Sequence, residues 1–465
     1  MAAVESGLPK VQQEQSEALR IGIENKGAGI VHEDELRQSL AECRVSIKEM
    51  LAQPCQDDME CLWEKASICR IPQYLKNGKD KDYDPQIVSL GPYHHGKEHL
   101  RPMDQHKLRC LRRILKRSNN EIDPYLNSVK DVEGRARSCY DGMISMNSDD
   151  FVQMMVLDGC FVLELFLGFA VGFGQLGYRL SDPIFSMRGP MHTIQQDMIL
   201  LENQIPLFIL DLLLPLFPLN QLLGYDPNRN RLLVKLALEF FYSLQPIIIP
   251  FNGRTVDPSP IHGELHCLTL LWLSLSPSHI RLSPSRSLSL IEPVLPELSS
   301  RTIPCVTDLW KAGIEFSMRH TDSFMDIRFQ KGTLKIPQLQ IHDSTRSLFL
   351  NLIAFEQSRS DCIKYVASYV IFMDYLIKSP EDVGYLCHCK IIKHSLGSNA
   401  EVVAFFNQLC LGLDLDLNDH YLARLWKEYF TNPWSFISLV GGCILLVLAC
   451  IQTFYTVYGY YRPRF

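Results

Sequence analysis

The chain has 465 residues, 46% hydrophobic and 21% charged, with a formal net charge of -6. That length and apolar content can bury a large core in one domain or two, and the acidic balance excludes nucleic acid as the main partner, because phosphate binding needs a basic face. The 15 cysteines are odd in number and scattered without a C-x-x-C pair; many lie in apolar runs, as at Cys160, Cys410 and Cys443, which suits reduced, buried thiols better than a disulfide framework.

Residues 1–33 are polar, rich in Glu, Gln and Gly, and read as a disordered tail. They contain no apolar h-region, so no cleavable secretory signal is expected. From His32 to Gln53, Leu36, Leu40, Val45, Ile47 and Leu51 recur among Glu and Lys, which predicts a surface helix. After turn chemistry at Asn77-Gly78 and Asp84-Pro85 comes VSLGPYHHG, Val88 to Gly96, a short extended segment ending in a turn. Pro102 opens a helix with Leu108, Leu111 and Leu115 as its apolar stripe. Lys107, Arg109, Arg112, Arg113, Lys116 and Arg117 form a basic face that reads as solvated, with contact to acidic lipid or a partner as the alternative.

The densest apolar part of the body follows. Ser148 or Asp149 is positioned to cap DFVQMMVLDGCFVLELFLGFAVGFG. Asp158 and Glu164 lie inside it, and a carboxylate at mid-membrane costs about 3 kcal/mol, so a buried globular helix is expected. MHTIQQDMILLENQIPLFILDLLLPLF reads as a second apolar helix kinked at Pro206. Leu232 to Leu244 is a further helix. Residues 274–300 break every apolar run with Ser and Pro and read as a long loop. Residues 306–316 look helical, and FMDIRFQKGTLKIPQLQIH alternates around Lys331-Gly332 as a small hairpin. Asp343 or Ser344 is expected to cap a helix with Leu348, Leu352 and Phe355 on one face. More helices are expected at 361–378, 400–411 and 420–429. The fold class is mainly α-helical with one small β-hairpin element.

The last segment has a different chemistry. From Phe436 to Val457 there is no Asp, Glu, Lys, Arg or His. A span of roughly 20 apolar residues crosses a bilayer as a helix. Trp434 at one end, with Tyr455, Tyr458, Tyr460 and Tyr461 at the other, has the pattern of an aromatic belt. A transmembrane helix over 434–458 is therefore expected, with Trp434, Phe436, Gly442, Leu446, Ile451 and Val457 as anchor residues and 459–465 as a short tail. Ser438 and Gly442 have the small-x-x-x-small spacing that permits close helix contact, so a homo-oligomer through the anchor is allowed. Insertion after translation would leave the body in the cytosol, whereas Arg462 and Arg464 favour the opposite orientation.

Candidate chemistry is sparse. His262-Gly-Glu-Leu-His266 has two histidines four apart, but Glu264 is one position late for the zinc-protease motif. Cys387-His388-Cys389 with His394, and His94, His95, His99 and His106, lack the spacing of a structural zinc site. Asp158, Glu164, Asp197 and Glu202 fall in the two apolar helices and read as core polar groups with internal partners. No nucleophile elbow, P-loop or dinucleotide fingerprint occurs, so neither an enzyme nor a cofactor is expected.

An ordered set of motifs runs from about residue 65 to the end: Arg70-Ile71-Pro72, the Val88–Gly96 segment, Asp104-x-His106-Lys107, Met154-Met155-x-x-Asp158-Gly159-Cys160-Phe161, Leu201-Glu202-Asn203-Gln204-Ile205-Pro206, Ala312-Gly313-Ile314-Glu315-Phe316, Asn351-Leu352-Ile353-Ala354-Phe355-Glu356-Gln357, and Pro433-Trp434. With these the chain resembles the plant proteins with domain of unknown function 247, also catalogued as UPF-type membrane proteins. The resemblance implies one family domain over 34–432 followed by the anchor, a membrane location with the plasma membrane favoured, and a protein partner. Grass members at the self-incompatibility loci are proposed pollen-side determinants of self-recognition; this chain is expected to be such a determinant or a paralogue. Residues 274–300 and 217–231 are the expected partner-selecting surface. The alternatives are a hydrolase or transferase using Asp158, Glu202 and His94/His95, and a membrane scaffold.

Overall fold

A computed structural model describes residues 66–76, 80–185, 187–219, 222, 231–246, 265–275, 304–321, 323–359, 362–411, 413, 448–449 and 451–453. Residue contacts divide the chain into Met1–Glu64 and Lys65–Phe465, and every described residue lies in the second unit. The expected helices at 32–53 and 420–429, and all of the 274–300 loop except Ser274 and Leu275, lie outside the described residues.

The first half of this unit is helical: α1 Gln73–Lys76, α2 Arg101–Ser118, α3 Asp123–Lys130, α4 Glu133–Ser138, α5 Ser148–Val171, α6 Arg188–Asp197, α7 Leu207–Leu213, α8 Leu232–Phe240 and α9 Cys267–Leu275. Then come α10 Val306–Lys311, strands β1 Glu315–Arg319, β2 Arg328–Gln330, β3 Thr333–Pro337 and β4 Leu339–Ile341, and helices α11 Asp343–Gln357, α12 Tyr365–Leu376 and α13 Pro380–His388. Strand β5 Ile392–His394 and α14 Asn399–Cys410 complete the described elements. The expectation of a mainly helical body with a small β element is borne out.

Helix α5 is the centre. Its cap is Asn147, one residue before the expected cap, whose side chain accepts the Asp150 amide at 2.8 Å. Asp149 and Asp150 in its first turn suit the positive end of the helix. Phe151 to Gly168 is buried almost without interruption, because α2, α3, α7 and α8 pack around it. Among the described residues it is the one helix long and apolar enough to cross a membrane, and burial on nearly all sides makes it a core helix.

The expected kinked helix through Pro206 is two helices. Between α6 and α7, residues 198–206 leave the helical path, and Pro206 becomes the extended cap of α7. The reason lies in Glu202, Asn203 and Gln204, whose side chains bond backbone groups that a continuous helix would turn away from. The Lys331-Gly332 hairpin forms as read: both residues have positive φ, 51° and 79°, and β2 pairs antiparallel with β3. Residues 306–316 are not one helix, since α10 stops at Lys311 and Gly313, at φ 90°, redirects the chain into β1. Strand β1 then pairs parallel with β3, and β4 pairs parallel with β5. Helix α11 starts from His342, whose amide donates to the Thr345 hydroxyl at 2.9 Å. Helix α13, which period alone did not reveal, is opened by Ser379 and Pro380, with Ser379 accepting the Asp382 amide.

Candidate functional site

Asp158, Asp197 and Glu202 converge on one structural task, which is gripping the extended segment 86–91 and its surroundings. Asp197, the last residue of α6, accepts the Gln86, Ile87 and Val88 amides at 2.8, 2.8 and 2.9 Å. Asn203 takes the Leu90 amide at 2.7 Å and donates to Val88 O at 3.0 Å, standing in for a strand partner. Asp158 of α5 accepts the Gly91 amide at 2.8 Å and Lys107 Nζ at 2.6 Å. Lys107 also reaches Ser89 O at 2.6 Å. Glu202 receives the Ile71 amide at 2.7 Å and Lys76 Nζ at 2.9 Å. An extended segment with no neighbouring strand must pair its backbone groups somewhere, and here side chains from α5 and the α6–α7 loop do so.

The C-terminal half repeats the device. Asn351 accepts the Leu201 amide at 2.9 Å and donates to Asp82 O at 3.0 Å, tying α11 to the same region. Glu356 accepts Trp272 Nε1 at 2.7 Å and the Val366 and Ala367 amides at 2.8 and 2.9 Å, so a side chain of α11 caps the first turn of α12. Glu164 is held by Arg117 at 2.5 Å and by Tyr178 Oη at 2.9 Å.

Two parts of the sequence reading change. Lys107 belongs to no solvated face: it is 2% exposed, and α2 buries Met103, Lys107, Cys110, Leu111 and Ile114, while Leu108 and Leu115 are only half-buried. The inward charge of Asp158 rotates the helix so that a lysine stem enters the core. Arg109 and Arg117 are likewise ion-paired, to Asp182 at 2.8 Å and to Glu164. The sequence placed Lys107, Asn203, Gln204, Asn351 and Glu356 within the ordered motifs but did not identify the backbone or side-chain partner of any of them. The available signal was a polar residue placed where helical period demands an apolar one.

Burial pushes the Asp158 carboxyl up, opposed by Lys107 and the Gly91 amide. Asp197 is pushed up to about 6 by the same cause, against its three amide donors. His94 is 3% exposed and sits between Glu202 Oε2, 3.8 Å from Nε2, and Asp84 Oδ1, 3.9 Å from Nδ1, too far on either side for a hydrogen bond. Burial lowers it to about 4, and the nearby cations Lys97, Lys76 and Arg70 add to the effect against Asp84. His266, fully buried with Nε2 3.0 Å from Ser67 O, is lowered to about 3 by burial. His95 is exposed, and His99 Nε2 lies 3.1 Å from Pro85 O. His262 lies outside the described residues.

A histidine held below its ordinary 6.5 takes up its proton more readily unfolded than folded. Stability is therefore full above about pH 6.5 and is lost as pH falls toward 4. Between pH 7 and pH 5 each of the two histidines should cost about 2 kcal/mol. Asp197, raised to about 6, acts in the opposite sense over the same range, so the decisive comparison is between proteins: the pH 7-to-5 decline in the denaturation midpoint should be smaller in His94→Gln than in the unsubstituted protein, and an equal decline in the two contradicts the His94 assignment.

Of the expected anchor residues, Trp434, Phe436, Gly442, Leu446 and Val457 lie outside the described residues. Ile451 is in a helical turn and 48% exposed, as Leu448 is at 55%.

Comparison with known proteins adds a family. The family profile described as a plant protein of unknown function, domain of unknown function 247, matches residues 68–448. The UPF0481 protein At3g47200 of Arabidopsis thaliana is 31% identical over 436 residues, covering 86% of this chain and 88% of the relative. The putative UPF0481 protein At3g02645 of the same plant is 22% identical over 486 aligned positions, covering 84% and 90%. No solved structure matches the chain.

Proposed function

The chain belongs to the plant proteins of the domain-of-unknown-function 247 family, and on that premise we propose that it is a membrane-tethered interaction protein whose body presents a surface to a protein partner. The observation that carries this reading is the commitment of the carboxylates that lie in the two apolar stretches. Every side-chain oxygen of Asp158, Glu164, Asp197 and Glu202 accepts from a backbone amide, an internal cation or Tyr178. Groups so engaged hold the fold and leave recognition to the exterior. The tether is the apolar segment 434–458, with Trp434 at its edge, and the plasma membrane is its favoured location.

Affinity capture from the native tissue, with the C-terminal segment intact, tests the reading. Pollen-restricted expression together with a secreted stigma partner supports a self-recognition determinant. A specific partner in another tissue supports a paralogue's role, and recovery of only housekeeping cytosolic proteins in all tissues sinks the recognition reading. Protease treatment of intact protoplasts assigns the side: digestion of the body places it outside.

The second reading is a hydrolase or transferase. What favours it is His94, whose two ring nitrogens have no hydrogen-bond partner among the described residues while Glu202 and Asp84 flank it at 3.8 and 3.9 Å. An esterase or transferase activity abolished by His94→Gln in a folded protein would support it over the interaction reading.

A further inference from the structure

We infer that the surface formed by α2 and the loop after α5 docks on an anionic lipid surface, and so orients the body against the membrane independently of the C-terminal segment. The loop, residues 172–185, is fastened to α2 by three arginines. Arg109 pairs with Asp182 at 2.8 Å, Arg113 donates to Gly177 O, and Arg117 donates to Leu176 O at 2.9 Å. Arg113 also lies over the Tyr178 ring at 4.5 Å, while Phe173 stacks on Phe185 at 4.8 Å and Tyr178 meets the Phe185 ring edge-on at 4.4 Å. The loop is thus a rigid platform, and from it Leu180 projects 95% exposed, with Met187 58% exposed beyond its far end.

The charge around that platform is one-sided. Arg112 and Lys116, one helical turn apart opposite the buried Met103–Cys110–Ile114 face, are exposed on α2. The acidic groups of the helix and loop are Asp104, 3.5 Å from Lys107, and Asp182, held by Arg109. In a chain of net charge -6 this is a local reversal of sign. A protruding leucine on a loop fastened to the helix that carries the exposed cations matches the boundary of an anionic bilayer, where an apolar side chain enters the headgroup region and each cation strengthens attachment. A nucleic-acid backbone offers Leu180 nothing, and a protein pocket would be matched by a broader apolar face than one leucine.

The test is amide hydrogen exchange on the full-length protein with vesicles of phosphatidylcholine alone and of phosphatidylcholine mixed with phosphatidylserine. Exchange over 176–183 should slow only with the anionic vesicles, and the protection should vanish in high salt. Arg112→Gln with Lys116→Gln should reduce the docked population by roughly 30-fold, about fivefold per charge. Leu180→Asp should abolish docking, with α5 amides reporting that both variants stay folded. Equal exchange in the two vesicle types overturns the proposal, and so does protection by polyglutamate but not by anionic lipid, which assigns the face to an acidic protein. Resistance to alkaline extraction from neutral vesicles is read separately and tests the C-terminal tether, so either idea can fail alone.

Discussion

Asp158→Ala is expected to destabilise the body by about 3–5 kcal/mol, the usual cost of removing one partner of a buried ion pair. Lys107 and Asp158 are each about 2% exposed and meet at 2.6 Å. The substitution leaves the ammonium in the core with Ser89 O at 2.6 Å and the half-exposed Asp104 at 3.5 Å, and it strips the Gly91 amide of its acceptor. Asp158→Asn keeps an acceptor for Gly91 and should fall between the two. Replacing the pair together, Lys107→Met with Asp158→Leu, should recover much of the loss, since the isolated charge and not the absence of the pair carries the penalty. Denaturation midpoints measure all three, with Asp149→Ala, fully exposed at the start of α5, as the control. A loss for Asp158→Ala no greater than for Asp149→Ala would show that Lys107 is not buried as described.

The second large effect is Gly91→Ala, expected to cost about 2–5 kcal/mol. Gly91 has φ 69°, which for an L side chain costs about 1–2 kcal/mol. A Cβ there would also lie 2.5 Å from Gln204 O and 2.8 Å from Tyr140 Oη, and overpacking of that kind typically adds about 1–3 kcal/mol. Those two atoms are themselves bonded at 3.0 Å, so the intruding methyl would wedge the α6–α7 loop away from the residues after α4. Gly96 separates the terms: its φ is 79°, but none of the described residues lies within 4 Å of a Cβ built there. Gly96→Ala should therefore show only the backbone part, and equal losses at the two positions would rule out the steric account of Gly91.

The two variants probe different links of one chain of dependence. Gly91 lets the extended segment turn where Asp158 can take its amide, and Asp158 fixes Lys107, which fixes the rotation of α2. That rotation leaves Arg112 and Lys116 outward and turns Arg109, Arg113 and Arg117 toward the 172–185 loop. Loss of the core ion pair is consequently expected to loosen the basic platform as well, visible as faster exchange at Gly177 to Asp182 in Asp158→Asn even where the protein remains folded.

Much of this was legible from residues in isolation. The apolar run of α5, the Lys331-Gly332 hairpin and the α14 helix follow from local period and turn chemistry. The ordered motifs pointed to the family. Where the reading failed, the competing interaction was non-local. Pro206 predicted a kink, yet Glu202, Asn203 and Gln204 answer to backbone groups at Ile71, Leu90 and Leu268, distant in sequence, and the helix opens to let them do so. The basic face of α2 predicted solvation, but one of its lysines is the counter-charge of a carboxylate 51 positions later.

Fold class, family and the positions of the polar residues within apolar runs were readable from the residues alone, because helical period, turn propensity and ordered motifs are local properties of the chain. What those polar residues do was set by the packing of distant segments. A buried carboxylate needs donors, and which donors reach it depends on packing between segments that no spacing rule connects. So Asp158, Asp197, Glu202, Asn203, Asn351 and Glu356 became the clamps that hold an unpaired extended segment and cap a distant helix, and the cations left over at the surface of α2 became the face proposed to meet the membrane.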